Sequence, residues 1–438
     1  MILIAIIKKR ISNKFYMRSI ISLLPLFLIS CIIAGLAGCN TTEPNNDLQI
    51  NVEDVSCTEA WINVTGQTGN EVILNRDDKE VQRFILTTSP QIIYDDSLLP
   101  NKSYNYQAIR NNETSNKTTV TTLDTTSSNY SWQTLTFGGA ASSSFEDVAI
   151  VNENDIWAVG TIFVYDSTGQ VDPNIYNAVH WDGNKWELKR VPYYYQGQAY
   201  YHPIQSIYSF ALNDVLFCGN GIIHWDGLKF NEVFISSNVL GSYQINRIWG
   251  KSSNDFFIVG NSGKIAHFQN GSWQKIESGT ELNINDIWGT TDYNGNNNVL
   301  CSAYNFGSGG GKKLLRIQGT NVDTIGWTEN RELYTVWFNT TNKIYAGGEG
   351  LFVRVNEKWK EENLPPLFKF RIRGTSMNNV WTVGGYGLCA KFNGKRWITY
   401  NEVSLSSGNY EALDVKDNIV VVACNEGNST VITIGIKN

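Results

Sequence analysis

Ile245-Asn246-Arg247-Ile248-Trp249-Gly250 is followed by Ser253-Asn254-Asp255, then by Phe256-Phe257-Ile258-Val259-Gly260. Ile265-Ala266-His267-Phe268 and Asn270-Gly271-Ser272-Trp273 complete the phrase. It holds four short apolar runs, separated by residues that suit tight turns. The phrase recurs from near residue 145 to the end of the chain at a period of about 40, which predicts four-stranded blades of a β-propeller.

Six further copies align with it, anchored at Asp155-Ile156-Trp157, Asp214-Val215-Leu216, Ile287-Trp288-Gly289, Ile344-Tyr345-Ala346, Val380-Trp381-Thr382 and Ile419-Val420-Val421. The last copy stops before the tryptophan-led outer strand that most others possess. A matching segment, Trp132-Gln133-Thr134-Leu135-Thr136, precedes the first. The expectation is an all-β chain: a small β-sandwich, then a seven-bladed β-propeller over 130–438 closed by an N-terminal outer strand. Such closure hides the edges of an open array. Asp-Gly and Asn-Gly steps serve the turns, where glycine takes positive φ freely. These phrases resemble the Asp-box and Trp-Gly propeller repeats of bacterial surface proteins. No copy has the leading serine and intervening aspartate of a strict Asp-box, so the resemblance implies the fold and not sialidase activity.

The first residues read as an address. Lys8, Lys9, Arg10, Lys14 and Arg18 precede the apolar stretch Ile20 to Ile33, and Leu36-Ala37-Gly38-Cys39 follows. A basic region, a short apolar core and small residues before a cut describe a secretory signal. The stretch falls short of the ~20 residues a membrane span needs. Leu-Ala-Gly-Cys resembles the lipobox of bacterial lipoproteins, which implies a signal peptide over 1–38 and acyl groups on Cys39. An ordinary signal peptide or a single span is the alternative, and a start at Met17 would give the same leader. The lipobox resemblance implies a bacterial cell-envelope protein with a lipid bilayer as partner through Cys39. Asn40, in place of an aspartate that retains some lipoproteins at the inner membrane, favours the outer one. Residues 39–47 form the tether.

Residues 48–126 carry about seven short alternating strands, as an antiparallel sandwich does. Leu99-Pro100-Asn101-Lys102-Ser103-Tyr104-Asn105-Tyr106 resembles the fibronectin type III pattern, which implies a buried Leu99, a proline turn and a corner tyrosine. Trp61 fits that family's core tryptophan, and Thr119-Val120-Thr121-Thr122-Leu123 its last strand. A spacer is the expected role.

The chain is mildly acidic, at a formal net charge of −6, and no Lys/Arg stripe argues for nucleic acid. Cys57, Cys218, Cys301, Cys389 and Cys424 show no metal-type spacing and read as buried free thiols. His180, His224 and His267 fall at one strand position of successive copies, as structural repetition predicts. No Gly-x-Ser-x-Gly, His-Glu-x-x-His or phosphate loop is present. Phe370-Arg371-Ile372-Arg373 resembles the sialidase Phe-Arg-Ile-Pro signature but lacks its proline. No catalytic residue, cofactor or metal is therefore expected.

The interruptions of the repeat point to a site. Insertions fall at Ile162 to Asn177 and Tyr304 to Lys313, both between second and third strands, and at Tyr193 to Pro203 between the first two blades. In a propeller these loops share one face. Clustered tyrosines on a rigid scaffold suit recognition. The candidate ligand-binding residues are Tyr193, Tyr194, Tyr195, Tyr200, Tyr201, His202, Tyr304 and Phe306; the alternative is that the loops drifted and the tyrosines pack on one another. Tyr208, Trp249, Trp288 and Trp337, with Ala149 and Arg373 at the equivalent places, lie on the innermost strands, expected to pack between blades more than to line a pore. The reading is a binding or scaffolding module for an envelope or extracellular protein or a polysaccharide. The alternatives are a carbohydrate-active enzyme of the sialidase-like or lyase class and an assembly factor for an envelope complex. An enzyme would show several carboxylates or an arginine cluster converging at the channel mouth.

Overall fold

Apolar alternation along each copy of the repeat builds a strand with one face toward either neighbouring sheet, so the copies stack as blades. A computed structural model describes residues 47–241, 244–292, 295–306 and 311–438. The leader, Cys39 and most of the tether lie outside the described residues, as do Gly307 to Gly310. Asn46–Asn438 forms one compact unit.

Seven four-stranded antiparallel sheets follow one another in this unit. Their innermost strands are Ser144–Asn152, Ile204–Ala211, Ile245–Ser252, Ile284–Thr291, Leu333–Thr340, Lys369–Ser376 and Asn409–Lys416, in blades one to seven. Blade seven is completed from the other end of the domain. Ser429–Lys437 pairs antiparallel with Tyr130–Gly138 along its whole length, from Ser429 opposite Gly138 to Lys437 opposite Tyr130. The ring is closed by hydrogen bonds, and the Trp132 indole lies where a Cβ on Gly435 would come within 2.6 Å.

Between blades the contacts repeat. A Cβ on Gly289 would stand 2.7 Å from the Trp249 indole of the preceding blade, and one on Gly374 would stand 2.9 Å from that of Trp337. Both tryptophans are buried, so this part of the inner-strand series is inter-blade packing. Outer-strand tryptophans reach back to the previous blade: Trp273 donates to the Phe234 carbonyl at 3.0 Å and Trp359 to that of Gly326 at 2.7 Å.

The sandwich pairs a three-stranded sheet (Gln49–Val55, Ala60–Thr65, Gln91–Asp95) with a five-stranded one built around Glu71–Arg76 and Ser103–Arg110. Ile50, Ile62, Val64, Val72, Leu74 and Tyr106 share its core. Two expectations are corrected. Trp61 is buried, but strand alternation turns it away from Ala60, Ile62 and Val64, and its ring meets Tyr94 at 5.5 Å. It faces a depression shared with Thr341, Asn342 and Arg354 of blade five. Leu99 is exposed and the neighbouring Leu98 is the buried one. The corner tyrosine is Tyr104, whose hydroxyl accepts the Leu99 N–H at 2.9 Å.

The sandwich is docked on the propeller, not merely strung before it. Lys343, on the first turn of blade five, donates to Glu59 at 2.6 Å with both side chains nearly buried. Asn378 of blade six donates to the Asp124 carbonyl at 2.7 Å, and Lys391 to Thr126 at 2.6 Å. At Gly394 a Cβ would collide with the Cys57 sulfur. Asn378 and Gly394 sit on turns between first and second, or third and fourth, strands, while Lys343 and Lys391 lie on the second and third strands next to such turns. The sandwich therefore covers one propeller face at blades five and six.

Candidate functional site

The opposite face carries the insertions. Tyr193–Tyr195 and Gln198–Tyr200 form a hairpin, turned by Gln196 and Gly197 at φ 50° and 78°. Two adjacent positive φ angles make the tight turn that suits strand twist. Asn177, fully buried at the end of the blade-one insertion, holds the hairpin base. Its amide donates to the carbonyls of Val191 and His202, both at 2.9 Å, and accepts the Val191 N–H at 2.7 Å. Arg190 ties the same two segments, bonding Asp172 at 2.7 Å and covering the Tyr176 ring at 4.0 Å. Insertion and hairpin thus form one ledge.

Not every candidate residue is on its surface. Tyr193 is buried in the cluster between blades one and two, so it roots the hairpin. Tyr194, Tyr195 and Tyr200 are exposed, Tyr201 is half-buried, and the His202 ring lies parallel to Tyr200 at 6.3 Å. Tyr304 is also buried, while Phe306 is 56% exposed. Phe306 joins rings that the sequence reading left out: Tyr334 at 5.3 Å and Phe368 at 5.4 Å. Phe370 completes this patch, 5.7 Å from Tyr334 and 4.7 Å from Phe368.

Tyr334 and Phe370 belong to a ring of equivalent positions. In every blade the pairing of the innermost with the second strand slips by one residue near its start. The residue at the slip is Glu146, Gln205, Asn246, Asn285, Tyr334, Phe370 or Glu411 in turn. A β-bulge leaves its extra residue unpaired and re-aims the side chain. Seven bulges around a closed ring make the channel mouth. Amide side chains on blades three and four are committed, Asn246 to the Ile284 carbonyl at 3.0 Å and Asn285 to that of Tyr304 at 2.8 Å. Glu146 and Glu411, on adjacent blades one and seven, form no ion pair among the described residues. Burial, with the like charge of Glu146, pushes the Glu411 carboxyl up to about 7.

One step inward, Asp286 is paired with arginines, whereas Asp147 and Asp414 are held by backbone N–H groups. Asp286, with no exposed surface, bonds Arg371 at 3.0 Å and Arg373 at 2.8 Å, and accepts the Thr335 hydroxyl at 2.6 Å. Its second role is to accept the Val336 N–H of the next blade at 3.2 Å. Asp147 does the same for Ile207 at 3.1 Å, and Asp414 for Ile150 at 2.7 Å, closing blade seven on blade one. Innermost strands have free N–H groups on the channel edge, and these carboxylates satisfy them. Arg247 donates to the carbonyls of Gln205 at 2.6 Å and Asn246 at 2.7 Å. Below lies a cavity of about 150 Å³ lined in part by Asp147, Tyr208, Trp288, Arg373 and Asp414. Trp288 faces it under the Arg373 guanidinium at 4.9 Å while donating to the Phe338 carbonyl, so it both lines the channel and packs on blade five.

The histidines are spent within their blades. His180, His224 and His267 bond Asp155, Asp214 and Asp255 at 2.9, 2.8 and 2.7 Å. His180 stacks on Trp157 at 3.8 Å and His267 on Phe257 at 3.9 Å. The five described cysteines are buried and free. Among the described residues, no group of three or more His, Cys, Asp or Glu is arranged to hold a metal ion.

No protein-family model matches the chain, and no curated protein matches it. Solved structures do. One described as YCF48 bound to D1 peptide aligns over 72% of this chain and 97% of its own, with a TM-score of 0.53 at 13% identity. The chain is a β-propeller. YCF48 from Cyanidioschyzon merolae aligns over 70% of this chain and 98% of its own, with a TM-score of 0.49 and 16% identity. The WD40 propeller domain of Doa1 covers 70% of this chain and 97% of its own, at 0.48 and 12%. At 13% identity, the structure described as YCF48 bound to D1 peptide carries the fold and nothing finer.

Proposed function

We propose that this is a lipid-anchored envelope protein whose propeller binds a segment of another envelope or extracellular protein on the face opposite the sandwich. One observation carries the reading: the docked sandwich occupies one face at blades five and six, and the other presents the tyrosine ledge and the aromatic channel mouth. Exposed tyrosines offer large contact area with few rotamers and a polar tip. The YCF48 structure described as bound to D1 peptide is consistent with a peptide ligand on this fold. The lipobox at Cys39 supports the anchor, the outer membrane being the expected one, and the two-sheet topology with its Tyr104 corner supports a fibronectin type III-like docking module.

The test is capture from the native envelope by the anchored protein, compared with a triple variant Tyr194→Ser, Tyr195→Ser, Tyr200→Ser. Loss of the same specific partner in the variant is expected. Retention of that partner at full strength would clear the ledge of any role.

A second reading has the convergence of carboxylates and arginines on the channel in its favour, with Asp147, Asp286, Asp414, Arg247, Arg371 and Arg373 around it. Glu411, titrating near 7 beside Glu146, has the pKa of a general acid, and glycoside hydrolysis uses two carboxylates. The other channel carboxylates are held by backbone N–H groups or arginines, which leaves this couple alone to carry the idea. Reducing-sugar release from envelope polysaccharides that vanishes in Glu411→Gln would establish an enzyme; no release by the native protein would dismiss it.

A further inference from the structure

The channel mouth is divided by chemistry. Going round the ring of bulges, blades five and six contribute Tyr334 and Phe370, and blades seven and one contribute Glu411 and Glu146. Aromatic and acidic residues thus occupy adjoining arcs. Phe368 and the exposed Phe306 extend the aromatic arc outward, with ring separations of 4.7 to 5.4 Å from Phe370 through Phe368 to Phe306. The arcs are close enough that the charges of Glu411 and Glu146 act on the Tyr334 phenol, which burial pushes up to about 12.

Among the described residues, neither carboxylate has an ion-pair partner. Arg247 is the one arginine whose charge is felt at Glu411. Its guanidinium is held by main-chain carbonyls, including that of Glu146 at 3.3 Å, and makes no ion pair with either glutamate. Among the described residues, Glu146 accepts the Ser144 hydroxyl at 2.8 Å and forms no ion pair. With both glutamates ionised, the mouth carries one net negative charge after Arg247 is counted. This differs from the layer beneath, where Asp286 has two arginines.

We propose that the mouth receives a lysine or arginine side chain of an extended partner peptide. Its cationic head meets Glu146 and Glu411, and its aliphatic stem and apolar neighbours lie across Tyr334, Phe370, Phe368 and Phe306. The proposal rests on the reading that the open face binds protein, and it names what that face selects. Long basic side chains suit a site that is apolar along one wall and anionic at its end. Ring faces add attraction for the cation. A closed ring of bulges keeps the groups in place before binding, which limits the ordering cost.

The experiment uses the folded protein and a positional-scanning nonapeptide library read by fluorescence anisotropy. The library is made twice, once with Lys and Arg and once with norleucine and citrulline in their places. One position is expected to require a basic residue, with affinity falling roughly tenfold or more for the neutral analogue, as for loss of a charge-assisted hydrogen bond. Glu146→Gln and Glu411→Gln should each remove most of that preference in a protein that still melts in one cooperative transition no lower than the native one. Affinity for the basic peptide should rise between pH 6 and pH 8 in the native protein, as Glu411 ionises opposite Glu146 and Arg247, and lose that rise in Glu411→Gln. Preference for neutral or acidic residues, or a basic preference that survives both substitutions, overturns the proposal but leaves protein binding intact. A library with no bound member also overturns it, and the tyrosine-variant capture then decides protein binding separately.

Discussion

The two faces of the propeller handle charge in opposite ways. On the covered face, Glu59 of the sandwich and Lys343 of blade five are 12% and 7% exposed and meet at 2.6 Å. Within the channel, Asp286 lies between Arg371 and Arg373. On the open face, Glu146 and Glu411 stand together with no cation bonded to them. Burying a charge costs several kcal/mol unless a partner compensates. Glu59 and Asp286 are matched by cations inside the molecule and Asp147 and Asp414 by backbone N–H groups, whereas Glu146 and Glu411 form no ion pair among the described residues.

The sharpest way to break this contrast is to unmatch an interior charge. Asp286→Ala strands two guanidinium groups, frees the Val336 N–H, and should cost about 3–5 kcal/mol in denaturant unfolding. A loss below about 1 kcal/mol would mean that water already shares the site. On the covered face, Lys343→Met leaves Glu59 buried without its cation. It should weaken docking by about 2–3 kcal/mol. Limited proteolysis of the segment 124–129 should then release the sandwich faster, and Gly394→Ala should do the same by colliding with Cys57.

On the open face the sign reverses. Glu411 has its carboxyl raised from 4.5 to about 7. The folded state holds that proton after the unfolded chain has lost it, so the stability that this one group contributes is fully present below about 4.5 and is lost as pH rises through about 7. Glu411→Gln should therefore stabilise the protein at pH 8, by about 1–2 kcal/mol once partial exposure is allowed for, and change little at pH 4. Thermal melts at both pH values check this, and destabilisation at pH 8 would mean that the carboxylate is matched after all. Smallest of all, the three exposed tyrosines changed to serine should shift stability by no more than about 0.5 kcal/mol. Their effect belongs to binding.

How much of this was legible depended on whether the signal was local. The period of the phrase around Trp249, the truncated last copy and the orphan strand at Trp132 gave the ring and its closure, because strand pairing leaves a repeating mark on residue type. The histidines read as structural, and their matched Asp partners show why. Trp61 was misplaced by one strand face: alternation is visible in sequence, but which face meets the core is not. Leu98 and Leu99 were exchanged for the same reason. In the candidate site, Tyr194, Tyr195, Tyr200 and Phe306 were found as interruptions of the repeat, whereas Tyr193 and Tyr304 proved to be roots beneath them. Tyr334, Phe370, Glu146 and Glu411 were passed over because each occupies an ordinary repeat position.

Residue spacing alone carried the all-β class, the blade repeat and the likeness of the leader to a lipoprotein signal. Each rests on neighbours within about 40 residues and on local hydrogen-bonding geometry. The channel was settled only in three dimensions. Bulges separated by tens to hundreds of residues converge because the ring closes, and closure joins residue 138 to residue 429. Until that happens, Glu146 and Glu411 are 265 residues apart in sequence and have no reason to share a charge. Long-range closure is also what turned seven equivalent positions into one mouth with an acidic arc and an aromatic one.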